Sequence, residues 1–149
     1  MKLKELYRQG QIGRGKFVIL IWGIQMTDFL ATGGDDNFRG SAGVNDIVSY
    51  ANAASAIRVD LRIATRQNTL GSGNDLFLSI ENLIGSAFAD EFFGGAEANW
   101  FQGGGGNDRL TGGAGADTLN GGDGNDILYS DHEDFTDGAT GTARRVPTA

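Results

Sequence analysis

The chain has no cysteine among its 149 residues. That excludes a disulfide framework and any thiolate metal site. Histidine occurs once, at His132, and proline once, at Pro147. An imidazole zinc site has no ligand set here, and the HExxH pattern has no counterpart. His132-Glu133-Asp134 is the one catalytic candidate, and a lone histidine in an acidic stretch reads as surface. No enzymatic activity is therefore expected. Long apolar runs are missing too. Phe17–Ile24, eight mostly apolar residues, is too short to cross a bilayer, so no transmembrane segment is expected. Basic residues are nearly absent from the second half: residues 70–137 hold thirteen Asp/Glu and a single base, Arg109, within a net charge of -7. Such a field repels nucleic acid and anionic lipid and attracts cations. The glycine-rich stretches carry no GxxxxGK[ST] lysine, and their aspartates would repel phosphate.

Glycine is present in excess, 25 residues, twelve of them between Gly94 and Gly124. The excess is periodic. Three nine-residue units follow one another: Gly103–Thr111 (GGGGNDRLT), Gly112–Asn120 (GGAGADTLN) and Gly121–Tyr129 (GGDGNDILY). Each has a glycine pair, a third glycine two residues later, an aspartate in the sixth slot and an apolar residue in the eighth. The frame extends upstream with decay. Gly94–Gln102 keeps the glycine pair, Asn99 and Phe101, and Gly85–Phe93 keeps Gly85, Asp90 and Phe92. Leu70–Leu78 and 31–48 match in other frames, the latter as degenerate repeats. Ser49–Thr69 has no glycine and alternates from Ala56 to Ile63, which predicts an inserted strand or hairpin that resets the frame. Residues 1–30 are basic and then apolar. They resemble a signal peptide only in part, because no small-residue cleavage site follows closely, and are read as a cap or non-native segment. Residues 130–149 read as an acidic and then flexible tail, with Phe135 in the next acid slot.

A fixed sequence period means a fixed structural unit stacked on itself. Glycine adopts the positive φ values of a tight six-residue turn, and the next three residues make a short strand with its central side chain inward. Leu110, Leu119 and Leu128 then form an internal ladder, prolonged by Phe92 and Phe101. Turn plus strand is half a coil. The expected fold is all-β: a parallel β-roll, a β-helix-like solenoid of GGxGxDxUx repeats, with an irregular N-terminal region and a disordered C-terminal tail. Turns eighteen residues apart share a side, which places Asp90, Asp108 and Asp126 in one column and Asn99 and Asp117 in the other. Carboxylates at strand spacing, about 4.8 Å, repel unless a divalent cation lies between them. Ca2+ suits such a place, since it takes six to eight oxygen ligands in irregular geometry, whereas magnesium demands a tight octahedron. Ordering a backbone costs about 1–2 kcal/mol per residue, and one leucine per nine residues returns about 1.5–3 kcal/mol. Residues 70–129 are thus expected to need the ion in order to fold.

The three strict units resemble the RTX, or hemolysin-type, calcium-binding repeats; the likeness is strong over 103–129 and good over 85–102. The resemblance implies carboxylate ligands at Asp108, Asp117 and Asp126. It implies carbonyl ligands at Gly103, Gly105 and Asn107, at Gly112, Ala114 and Ala116, and at Gly121, Asp123 and Asn125. Asp90 and Asn99 are weaker members: Phe88 replaces a glycine beside Asp90, and Asn99 lacks the charge. About two or three ions are expected from complete turn pairs. The resemblance further implies a bacterial extracellular protein, secreted unfolded through type I machinery and folded by calcium outside. A calcium-stiffened adhesion or surface-layer segment, and the non-catalytic end of a secreted hydrolase or epimerase, are the alternatives. The exposed ends of a roll invite self-association.

Overall fold

The computed structural model describes residues 28–41, 45–130, 135–137 and 144–147, with Ser130 and the last two segments described as backbone. Among these residues there are fourteen strands and no helix. The first seven are β1 Asp28–Leu30, β2 Asn37–Arg39, β3 Ile47–Ser49, β4 Arg58–Asp60, β5 Gln67–Asn68, β6 Asn74–Leu78 and β7 Asn82–Ile84. The rest are β8 Glu91–Phe93, β9 Trp100–Gly105, β10 Arg109–Thr111, β11 Thr118–Asp123, β12 Ile127–Ser130, β13 Phe135–Asp137 and β14 Arg144–Pro147.

From β7 onward successive strands alternate between two parallel sheets, as a roll requires, while β2, β6 and β5 form a separate three-stranded sheet. One sheet runs β1-β3-β7-β9-β11-β13 and the other β14-β12-β10-β8-β4. The inward residues stack in register. Phe29, Val48, Leu83, Phe101 and Leu119 form one file. Val59, Phe92, Leu110 and Leu128 form the other. All nine are buried. Each such side chain stabilises the fold by about 1.5–3 kcal/mol, and every second residue of a three-residue strand is the one that reaches the core.

The glycine-free insertion explains the change of frame. Val48 and Leu83 are direct partners in the first sheet, although the regular spacing is eighteen. The extra residues build β4, which joins the second sheet, and a hairpin of β5 and β6. The alternating run 56–63 is a strand only over Arg58–Asp60, shorter than its pattern predicts. The Asp60 carboxylate accepts the Arg62 backbone N–H at 3.0 Å and the guanidinium at 2.8 and 2.7 Å, which turns the chain there. β6 pairs with β2, and this end of the roll is filled by Phe29, Phe38, Tyr50 and Phe77 with ring centroids 5.4–6.5 Å apart. On the outer face, Glu91 bridges Arg58 and Arg109, and Arg109 lies 4.5 Å over the Tyr129 ring.

A few residues at each end join the stack. Of the segment 1–30 read as a cap, Asp28–Leu30 is a strand of the stack, and the remainder lies outside the described residues. Within the segment read as a tail, β13 and β14 pair with β11 and β12. Residues 131–134, 138–143 and 148–149 lie outside the described residues. The step into β13 is one residue short: Phe135 pairs with Thr118, so it does not stand in the acid slot opposite Asp117.

Candidate metal centre

The turn before each inward strand carries the acid slot. Asp90, Asp108 and Asp126 precede β8, β10 and β12 and form one column; Asn99 and Asp117 precede β9 and β11 and form the other. All five are buried, with Asp108, Asp117 and Asp126 each only 1 % exposed. The two oxygens of each carboxylate have separate tasks. One accepts the backbone N–H of the acid-slot residue one coil earlier. Asp90 N–H donates to Asp108 Oδ1, Asp108 N–H to Asp126 Oδ1 and Asn99 N–H to Asp117 Oδ1, each at 2.8 Å. The acid column is thus also a hydrogen-bonded ladder, a role the spacing alone does not reveal.

The other oxygen distinguishes the turns. Asp108 Oδ2 and Asp126 Oδ2 are buried and have no hydrogen-bond partner. Asp90 is different: its Oδ1 accepts the Ile57 N–H at 2.7 Å, and its Oδ2 accepts the Ser86 N–H at 2.6 Å and the Ser86 hydroxyl at 3.0 Å. Asn99 accepts the Gly95 N–H at 3.1 Å and donates its amide to the Glu81 carbonyl at 2.6 Å. Ser86 and Glu81 were not singled out from sequence. The signal for Ser86 was a hydroxyl residue in a slot that the strict units give to glycine.

The carbonyls named as ligands lie in the same turns. A Cβ on Gly103 would collide with Asp108 Oδ2 and with the Gly121 carbonyl oxygen. The Gly103 and Gly112 carbonyl oxygens lie in the same way against Gly85 and Gly94. These oxygens point along the stack toward the preceding coil, and only glycine leaves room for them. Gly105 pairs with Asp123 in the extended β9–β11 ladder. The Asp123 carbonyl accepts the Gly106 N–H at 2.8 Å. Ala114 donates its N–H to the Gly95 carbonyl at 3.0 Å. On the exposed rim, Asn107 Oδ1 accepts the Asn125 N–H at 2.8 Å, while Ala116 is exposed beside buried Asp117.

The electrostatics follow from burial. Desolvation pushes the Asp108 carboxyl up to about 7; the charges of Asp90 and Asp126 add to the rise, and the Asp90 N–H opposes it. Asp90 is raised as well, again chiefly by burial. A buried carboxylate oxygen without a partner is costly. Among the described residues no three His, Cys, Asp or Glu side chains gather into one cluster. A cation here would draw on carboxylate and main-chain oxygens together. That donor set, hard oxygens with two orphaned charges, fits calcium.

No curated protein matches the chain. The family model for the RTX calcium-binding nonapeptide repeat matches residues 79–108 and 102–131. Those spans cover the turns of Asp90, Asn99, Asp108, Asp117 and Asp126 with their inward strands. Residues 79–131 thus match the RTX calcium-binding nonapeptide repeat, and they form coils of the parallel β-roll described above.

Proposed function

We propose that the strict repeats are a calcium-dependent folding module of an exported protein, with the ions held between turns that share a column. The observation that carries this reading is the pair of buried, unpartnered oxygens on Asp108 and Asp126. Bound calcium supplies the positive charge that these oxygens lack and accepts the neighbouring carbonyls as further ligands. Asp108 and Asp126 hold the charge, their Oδ1 atoms keep the two coils in register, and the first glycines keep the carbonyl path clear. Asp117 performs the same task in the opposite column with Gly112, Ala114 and Ala116.

The wider role is part of the same proposal. A segment that is acidic and poorly packed without calcium stays unfolded where calcium is scarce, passes a type I secretion channel as a chain, and folds outside the cell. The module has no catalytic task of its own in this reading. Calorimetric titration tests it: calcium binds with release of heat, magnesium does so far more weakly, and the pair Asp108→Asn with Asp126→Asn abolishes one site. Undiminished calcium uptake by that double variant would sink the assignment.

A further inference from the structure

The turns of this roll come in two forms, and the boundary between them is sharp. Before Gly103, five acid slots have their outer oxygen bonded within the chain. Asp36 Oδ2 accepts the Thr32 N–H and hydroxyl at 2.8 and 2.9 Å, and Asp46 Oδ2 accepts the Ser41 N–H at 2.5 Å. Asp75 Oδ2 accepts the Tyr50 and Thr69 hydroxyls at 2.8 and 2.9 Å. Asp90 takes the Ser86 N–H and hydroxyl, and Asn99 takes the Gly95 N–H. From Gly103 onward the second residue of each turn is a glycine at positive φ: Gly104 at 106°, Gly113 at 102° and Gly122 at 92°. Neither Ser86 nor Gly95 adopts such a φ. In the first and third of these turns the peptide N–H is not offered to the aspartate, and Asp108 Oδ2 and Asp126 Oδ2 are left over. A serine cannot follow glycine into that conformation cheaply, so Ser86 holds its turn closed, whereas Gly95 can take either form and is closed where its slot partner is Asn99.

The core divides at the same place. Among the described residues, eleven of the fourteen buried apolar side chains lie before Gly103, including all the aromatic ones. The strict repeats contribute Leu110, Leu119 and Leu128. We infer that residues 28–102 form a metal-independent template, held by hydroxyl-closed and amide-closed turns and an aromatic core, on whose last coil the strict repeats fold when calcium arrives. In this chain Ser86 stands in for an ion at Asp90. The inference rests, for its second half only, on the reading of the strict turns as calcium sites.

Hydrogen exchange on the full chain, in chelator and in excess calcium, tests the division. In chelator, peptides from 45–102 stay protected, the Ile57 and Ser86 amides among them, while those from 103–130 exchange on the order of a hundredfold faster than with calcium at on the order of a hundred times its Kd. Uniform fast exchange in chelator overturns the template. Equal protection of both halves in chelator overturns the boundary. The chelator arm needs no ion, so it reports even if calorimetry shows that calcium does not bind, which would be the separate failure of the proposed function. A second test converts the turn. Ser86→Gly with Phe88→Gly gives Gly85–Asp90 the sequence of Gly112–Asp117, and Phe88 is 44 % exposed, so little packing is lost. The variant is expected to take up one more calcium per chain and to lose chelator-resistant protection around Asp90. Unchanged stoichiometry with unchanged protection counts against Ser86 as the closing group.

Discussion

At the scale of the residue, one carboxylate does two jobs, and Asp108 shows both. Its Oδ1 supports the coil before it and its Oδ2 is left without a donor. Its pKa stands at about 7 in the folded, ion-free chain against an ordinary 3.8. The folded form therefore binds this proton more tightly than the unfolded chain does. The resulting stability is fully present below about pH 4 and is lost as pH rises through about 7. Calcium needs the ionised form, so it competes with the proton. Calcium affinity should therefore rise between about pH 5 and about pH 8. Asp75, Asp90 and Glu81, all before Gly103, shift in the same direction, chiefly through burial, so the melting temperature of that half in chelator should fall as pH rises above the ordinary carboxylate range. The first glycine is equally constrained. Gly103→Ala places a Cβ against Asp108 Oδ2 and the Gly121 carbonyl, both proposed ligands, and calorimetry should show calcium affinity reduced by roughly tenfold or more, about 1.4 kcal/mol.

At the scale of the element, each repeat is too small to stand alone. A three-residue strand buries one side chain, and its neighbours in the file lie one coil away. Leu119, fully buried between Phe101 and the β13 backbone position of Thr136, should cost about 2–5 kcal/mol when truncated to alanine, measured by denaturant unfolding in saturating calcium. The surface pairs of Glu91 with Arg58 and Arg109 are half-exposed, and their removal should change stability by no more than about 1 kcal/mol. The nonapeptide pattern made the strands, the inward slot and the eighteen-residue columns legible. It did not make legible the extension of β9 and β11 to six residues, because pairing of Gly104 with Gly122 depends on two turns adopting the same backbone form.

At the scale of the whole molecule, the chain is polarised. A net charge of -7 is concentrated in the half with the thinner core, and the apolar and aromatic mass is concentrated in the other. Ligand linkage turns that asymmetry into a measurable response. Each ion bound only by the folded form adds about 2.7 kcal/mol at a hundred times its Kd, so circular dichroism melts should shift upward with the logarithm of calcium concentration and return to the start on chelation. A melting temperature indifferent to calcium would leave the roll without its proposed stabiliser.

The sequence by itself determined the period, the inward file and the two acid columns, because these depend on local conformational freedom and on side-chain alternation within nine residues. Tertiary structure alone decided which acid oxygens are spent. Asp90 is closed by the N–H of Ile57, 33 residues away, and by the conformation that Ser86 holds within its stacked turn, while Asp108 and Asp126 find no such donor for their second oxygen. The one-residue-short step that moves Phe135 opposite Thr118 was hidden for the same reason. Hydrogen-bond partners between coils are chosen by the stack, and no window of one repeat contains them.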